Sequence, residues 1–217
     1  MFVCYPAGTS MFPLMPAIGI TGGICTGKST FCECLRAILP IAKFFNADEA
    51  AHALVELPEV KQEIREKFGS SVFSSDGALN RAKLRAIIFG EATRKRALER
   101  ILHPRIRSQW RAEAKKHRNS PEFFFADIPL LYETGGETLC DRVVVVACSY
   151  EVQLGRLMER MSIKASEAKQ MINSQMPLDE KISRGDHVAW NNSDRARLAE
   201  QAQFLVALWQ KQSWTKR

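Results

Sequence analysis

No run of about 20 apolar residues occurs in this 217-residue chain, so nothing in it is long enough to cross a bilayer as a helix. Residues 1–16 hold apolar side chains but no basic region, and Pro6, Pro13 and Pro16 interrupt them. They read as a short, poorly ordered extension rather than a signal peptide. The six cysteines (Cys4, Cys25, Cys32, Cys34, Cys140, Cys148) show no C-x-x-C spacing. Cys32 and Cys34 are two apart and point to different faces of a helix, a poor arrangement for sharing a metal. His52, His117 and His187 lack metal spacing as well, and no repeat or low-complexity segment appears. These absences predict a reduced, cytoplasmic protein with no membrane partner.

The composition, 46% hydrophobic and 25% charged, is that of an ordinary globular chain and excludes a disordered tail, a collagen-like chain or a disulfide scaffold. A chain of this length buries about 70% of its unfolded surface, enough for a substantial core without a staple. Charge is what the sequence distributes unevenly. Residues 81–118 hold thirteen Lys/Arg against Glu91, Glu99 and Glu113, a local +10 that leaves −3 for the rest of a chain at +7. A basic surface calls for an anionic partner, whether nucleic acid, a membrane surface or a phosphorylated metabolite. Charge alone does not choose among them, and part of the run is expected to be a solvated face.

Residues 17–21 form a short apolar run with strand character. Glycines follow, then a helical pattern over 30–39, with Phe31, Leu35, Ile38 and Leu39 on one stripe and Pro40 at its end. A second strand over 41–45 leads to Asn46-Ala47-Asp48. Such alternation of strand and helix predicts a parallel α/β sheet. Between residues 49 and 116 the patterns are helical (59–68, 81–89, 91–116), with a Ser-Ser-Asp-Gly turn at 74–77, as an insertion between strands would be. Strands resume at 122–126 and at the Val-rich 142–148, which reads as covered on both faces. Helices at 151–161 and 166–174, a strand at 187–190 and a closing helix at 193–212 complete the chain. Trp190, Trp209 and Trp214 read as core or helix-packing residues, and His103 before Pro104 as a structural, helix-ending feature.

Gly22-Gly23-Ile24-Cys25-Thr26-Gly27-Lys28-Ser29 fits G-x-x-x-x-G-K-[ST], with a strand before it and a helix after. Glycines let backbone N–H groups curl around a phosphate, Lys28 reaches the β- and γ-phosphates, and the Ser29 hydroxyl ligates Mg²⁺. The helix that follows turns its positive end toward the same anion. No N-K-x-D for guanine and no L-S-G-G-Q of transporter ATPases occurs. Asp127, ending the Phe-rich strand, stands where an acid holds Mg²⁺ directly or through water. Ile128-Pro129 follows it instead of a Glu to activate water, so transfer to an acceptor is expected rather than hydrolysis. Asp48 should lie at the carboxyl edge of the sheet, as a base or orienting carboxylate for an acceptor hydroxyl or as N-cap of a helix starting at Glu49. Arg156 and Arg160 share a helix face, either over the phosphates or in solvent.

Together these segments resemble the dephospho-CoA kinase family over residues 17–208. The likeness rests on Thr-Gly-Gly-Ile-x-x-Gly-Lys-Ser-Thr at 21–30, Asn46-Ala47-Asp48 in place of Asp-Ala-Asp, and Asp76-Gly77 with Arg81. Leu102-His103-Pro104, Ile128-Pro129-Leu130-Leu131-Tyr132-Glu133, the 153–160 helix and the 175–192 stretch extend it. The resemblance implies an α/β P-loop kinase core with a parallel sheet flanked by helices (17–50 and 120–217). It also implies a helical substrate-binding insertion (51–118) and a lid (155–185). It implies transfer of the ATP γ-phosphate to the ribose 3′-hydroxyl of dephospho-CoA, by a monomer or weak homo-oligomer that takes no nucleic acid. Asp48, Lys28 and Arg156 would be catalytic. Gly22, Gly23, Ile24, Cys25, Thr26, Gly27, Lys28, Ser29, Thr30, Arg160 and Asn192 (or Asn191, near the adenine) would bind ATP. Arg81, His103, Asp127 and Asp48 would bind substrate, with Ser29 and Asp127 on Mg²⁺.

Three positions depart from the family pattern: Asn46 for the first Asp, Cys25-Thr26 for the usual Gly-Ser, and Ser193 for a Gly after the Asn pair. None falls on Lys28, Ser29 or Asp48. Rival readings are another nucleoside or nucleotide kinase, a nucleic-acid-dependent ATPase using the basic helices, and a silent nucleotide-binding scaffold.

Overall fold

Short strands that are apolar on both sides need cover on both faces, and the chain supplies it with helices. The computed structural model describes residues 16–117 and 120–211, so the expected disorder of residues 1–15 and the core placement of Trp214 lie outside the described residues. Strand β1 (Ala17–Gly22) runs through the glycine loop into helix α1 (Lys28–Ile38), and β2 (Lys43–Asn46) follows. Four helices come next: α2 (Ala47–Leu54), α3 (Pro58–Phe68), α4 (Arg81–Gly90) and α5 (Ala92–His117). Then come β3 (Phe124–Asp127), β4 (Arg142–Ala147), α6 (Tyr150–Met161), α7 (Ala165–Asn173), α8 (Leu178–Arg184), β5 (His187–Trp190) and α9 (Arg195–Lys211).

All pairings are parallel in a five-stranded sheet of order β2-β3-β1-β4-β5. The alternation of side chains along a strand explains the Val run of β4. Val144 and Val146 join Ile18, Ile20, Phe31, Leu35, Leu198 and Trp209 on the face covered by α1 and α9. Val143 and Val145 join Phe124, Ala126, Leu131 and Trp110 on the other. Helices α2–α5 close around a cluster of their own, with Leu54, Val60, Ile64, Phe68, Leu84, Ile101 and Leu102 at its centre.

Several expectations are corrected. Pro104 does not end a helix: α5 continues through it to His117. The Pro ring removes one backbone donor, and the Arg105 guanidinium donates to the Ile101 carbonyl (2.7 Å) in that turn. Trp190 is 47% exposed rather than core, because it ends an edge strand, whereas Trp209 is fully buried. Helix α1 begins at Lys28, two residues before the expected start at residue 30, because the left-handed Gly27 at the end of the loop is its N-cap. Helix α8 has no counterpart in the sequence reading: it is seven residues long and its buried face includes Lys181.

The register positions the chemistry. Ile20 and Asn46 both stand level with Asp127, so the ends of β1, β2 and β3 meet at one edge. That edge, where strand order reverses about β1, is where ligands bind in open α/β sheets. No helix among the described residues is long and apolar enough to cross a membrane.

Candidate active site

The loop from β1 to α1 is shaped by two left-handed residues, Cys25 at φ 58° and Gly27 at φ 95°. Gly27 is obligatory on space as well as angle: a Cβ there would lie 1.9 Å from the Asn191 amide nitrogen. Cys25 has no such freedom and holds a conformation that is disfavoured for any side chain. Side chains from within the loop and from outside it occupy several of its backbone groups. Thr26 folds its hydroxyl back onto the Gly23 carbonyl (3.0 Å), and Asn191 donates to the Thr26 carbonyl (2.9 Å). The peptide of Ile24 is gripped from two sides. Gln153 donates to its carbonyl (2.8 Å), and Gln175 accepts from its N–H (3.0 Å).

Lys28 and Ser29 open α1, and the Lys28 ammonium forms an ion pair with Asp127. Asp127 is 3% exposed, and its carboxylate also meets the Cys32 thiol. Burial, with that carboxylate beside it, pushes the Cys32 thiol up to about 12. Cys32 therefore serves as a core residue rather than a reactive one. All five described cysteines are free thiols.

The second strand end removes the capping reading of Asp48. Asn46, the departure from the family pattern, is itself the N-cap of α2: its side-chain oxygen accepts from the N–H groups of Asp48 (2.9 Å) and Glu49 (3.1 Å). Capping is thus done by Asn46, and among the described residues no hydrogen bond ties up the Asp48 carboxylate. It sits in the first turn of α2, where the helix end favours negative charge, and it lines the cavity.

That cavity, of about 1230 Å³, has two characters. One end is residues 23–30 of the loop with Arg156 and Arg160 of α6, a concentration of donors and positive charge. Arg156 meets the Cys148 thiol, and its Nη1 is buried with no hydrogen-bond partner among the described residues. The other end is an apolar wall from α5 and the segment after β3, including Leu98, Leu102, Ile106, Trp110, Ile128 and Leu130. His103 stands in this wall, and burial lowers its pKa, so the imidazole favours its neutral form. Such a lining suits a polyanion along the loop and an elongated, largely apolar molecule along the wall, with the Asp48 carboxylate lining the same space.

Gly23, Ile24, Cys25, Thr26, Gly27, Lys28, Ser29, Thr30, Asp48, His103, Arg156 and Arg160 all line the cavity. Four predicted residues do not. Gly22 closes β1, where a Cβ would approach the Val146 carbonyl to 2.4 Å. Asp127 lies behind Lys28. Arg81 starts α4 on the outside and pairs with Glu56 at 3.2 Å, because the 74–77 turn carries it away from the sheet edge. Asn192 is turned from the loop: its Oδ1 accepts from the Ser149 N–H (2.6 Å), and its neighbour Asn191 makes the loop contact. Among the described residues of the basic run, only Lys95 and Arg107 line the cavity. Arg94 and Arg105 are paired with Glu91 and Glu63, so part of that charge is a paired or solvated face.

Sequence reasoning gave no role to Gln153, Gln175, Glu133 or Lys181. All four lie in segments that carry the family likeness, which was the available signal.

Comparison with known proteins adds the following. The family model for dephospho-CoA kinase matches residues 16–197. A dephospho-CoA kinase of Anaeromyxobacter dehalogenans is 43% identical over 196 residues, which are 89% of this chain and 92% of that protein. A Thermus thermophilus protein of known crystal structure superposes with a TM-score of 0.74 at 30% identity, covering 91% of this chain and 97% of its own. The dephospho-CoA kinase from Campylobacter jejuni superposes with a TM-score of 0.63 at 26% identity, covering 89% and 96%.

Proposed function

This chain belongs to the dephospho-CoA kinase family, and from that premise we propose that the loop, two arginines and Asp48 divide the work of phosphoryl transfer. The enzyme moves the γ-phosphoryl of ATP to the ribose 3′-hydroxyl of dephospho-CoA, giving CoA and ADP, the last step in making coenzyme A. The N–H groups of the loop and the positive end of α1 receive the ATP phosphates, and Lys28 neutralises the β- and γ-oxygens. Arg156 and Arg160, one turn apart on α6, offset the charge that spreads over the transferring group and exclude water from it.

Asp48 is the observation that carries the acceptor side. Its carboxylate, released from capping by Asn46, faces the same cavity as the loop. There it orients the 3′-hydroxyl in line with the γ-phosphorus and takes its proton as the bond to phosphorus forms. The apolar wall and His103 hold the rest of the acceptor. Lys95 and Arg107, which line the cavity, are better placed than Arg81 to meet its anionic part.

Ser29 lines the cavity and would offer its hydroxyl to Mg²⁺, while Asp127, buried behind Lys28, would reach the ion through water. Among the described residues no cluster of three or more His, Cys, Asp or Glu side chains exists, so phosphate oxygens and water would complete its shell, as is usual for this ion. When bound, Mg²⁺ supplies charge neutralisation at the β- and γ-phosphates. A cytoplasmic enzyme, monomeric or weakly self-associating, completes the reading.

The test is Asp48→Asn, which keeps shape and removes the base. We expect kcat to fall by about 10²–10⁴-fold, with the KM for ATP within about threefold of the parent. An unchanged kcat would remove Asp48 from the mechanism.

A further inference from the structure

Lys181 is the most deeply buried charge in the described chain, with no exposed surface at all. A buried ammonium persists only if each of its three donors is satisfied and its charge is balanced. Here both conditions are met. Nζ donates to the Pro129 carbonyl (2.9 Å) and the Gly22 carbonyl (3.3 Å) and pairs with the Glu133 carboxylate (2.9 Å).

The positions of those acceptors give the arrangement its meaning. Gly22 is where β1 ends and the phosphate loop begins, and Pro129 lies two residues beyond Asp127. One ammonium therefore fixes the root of the segment that presents Lys28 against the root of the segment that presents Asp127. It arrives from α8, a part of the chain that contributes no phosphate ligand of its own. The same stretch is fastened twice more: Glu133 also accepts from the Met176 N–H (3.1 Å), and Gln175 accepts from the Ile24 N–H (3.0 Å). Thr21 adds a bond to the shared Pro129 carbonyl (3.0 Å).

We infer that Lys181, balanced by Glu133, is a positioning residue for ATP: it bolts α8 to the base of the phosphate loop and sets the spacing between Lys28 and Asp127. It does not line the cavity, so it acts through the loop and not by touching substrate. The inference rests on reading the loop as the nucleotide site, and makes the ATP half of the site more sensitive to Lys181 than the acceptor half, whose wall the Pro129 segment also borders.

The experiment uses the full chain and Lys181→Met, which keeps the length of the side chain and removes charge and donors. MgATP affinity by calorimetry, the KM values for ATP and dephospho-CoA, and a urea melt are measured together. We expect the Kd for MgATP to rise by about 10- to 100-fold, in line with a misplaced binding frame, and the KM for dephospho-CoA to stay within about threefold. A folded variant with unchanged MgATP affinity, or with both KM values raised alike, overturns the inference. Should Lys181→Met fail to fold, Glu133→Gln decides; because Glu133 itself borders the cavity, its effect on MgATP is read against its effect on the KM for dephospho-CoA, which must be smaller. The variant retains the carbonyl bonds and is expected to weaken MgATP by about tenfold, and unchanged affinity overturns the inference. A parent enzyme that binds MgATP but converts no dephospho-CoA would instead count against the acceptor assignment, leaving the titration to judge Lys181.

Discussion

Gly27 and Asn191 offer a quantitative test of how the phosphate loop is held. In Gly27→Ala the new Cβ would stand 1.9 Å from Asn191 Nδ2, but 3.1 Å from its Cγ and 3.8 Å from its Cβ. Only the amide is in the way. The substitution has two costs. Keeping φ at 95° with a side chain costs about 1–2 kcal/mol. Displacing the amide breaks its bond to the Thr26 carbonyl, in a residue with no exposed surface, for about 1–3 kcal/mol more. Asn191→Ala incurs only the second cost. In the double variant the amide is already gone and its loss is counted once. The singles should therefore cost about 2–5 and 1–3 kcal/mol, and the pair should fall short of their sum by about 1–3 kcal/mol. Urea unfolding of the four proteins at one temperature measures this. Additivity within about 0.5 kcal/mol would refute the claim that Asn191 is the contact Gly27 makes room for.

Three further outcomes are expected. Cys25→Gly relieves a left-handed side chain at φ 58°, and after the added flexibility of the unfolded chain a gain of about 0.5–1 kcal/mol remains; an unchanged or lower urea midpoint would contradict it. His103 and His187 are both held below their ordinary value of 6.5 by burial. The folded state thus prefers neutral imidazoles, so their contribution is complete above 6.5 and drains away as pH falls through 6.5 toward the lower folded values. Melting temperature should drop between pH 7.5 and 5.5, and replacing both residues with Gln should flatten that slope. Truncating Trp209, which is fully buried against Phe123 and Phe125, should cost about 3–5 kcal/mol as Trp209→Ala, read from the urea midpoint.

The parts of the molecule legible in the sequence are those set by short-range pattern. The glycine loop announces its own conformation, and the Val run of β4 declares a strand because its β-branched side chains alternate between two covered faces. The parts that were not legible depend on distant partners. Asn191 and Asn192 are adjacent, and residues next to each other at a strand end face opposite ways; spacing does not say which meets a carbonyl 165 residues away. Arg81 is separated by 25 residues from the Glu56 that holds it outside the site. Helix α8 escaped notice because a lysine at the centre of its buried face reads as solvent-facing in any hydrophobic pattern. Asp48 was ambiguous until Asn46 took the cap, a choice between two side chains that both favour that position.

The central claim is the reaction itself, and the most direct measurement is ADP release from ATP and Mg²⁺ with dephospho-CoA, AMP, uridine, single-stranded DNA or no acceptor supplied in separate assays. The account predicts release only with dephospho-CoA, CoA recovered as the product, and loss of that release in Asp48→Asn. Release driven by another acceptor or by DNA, with dephospho-CoA inert, would contradict it.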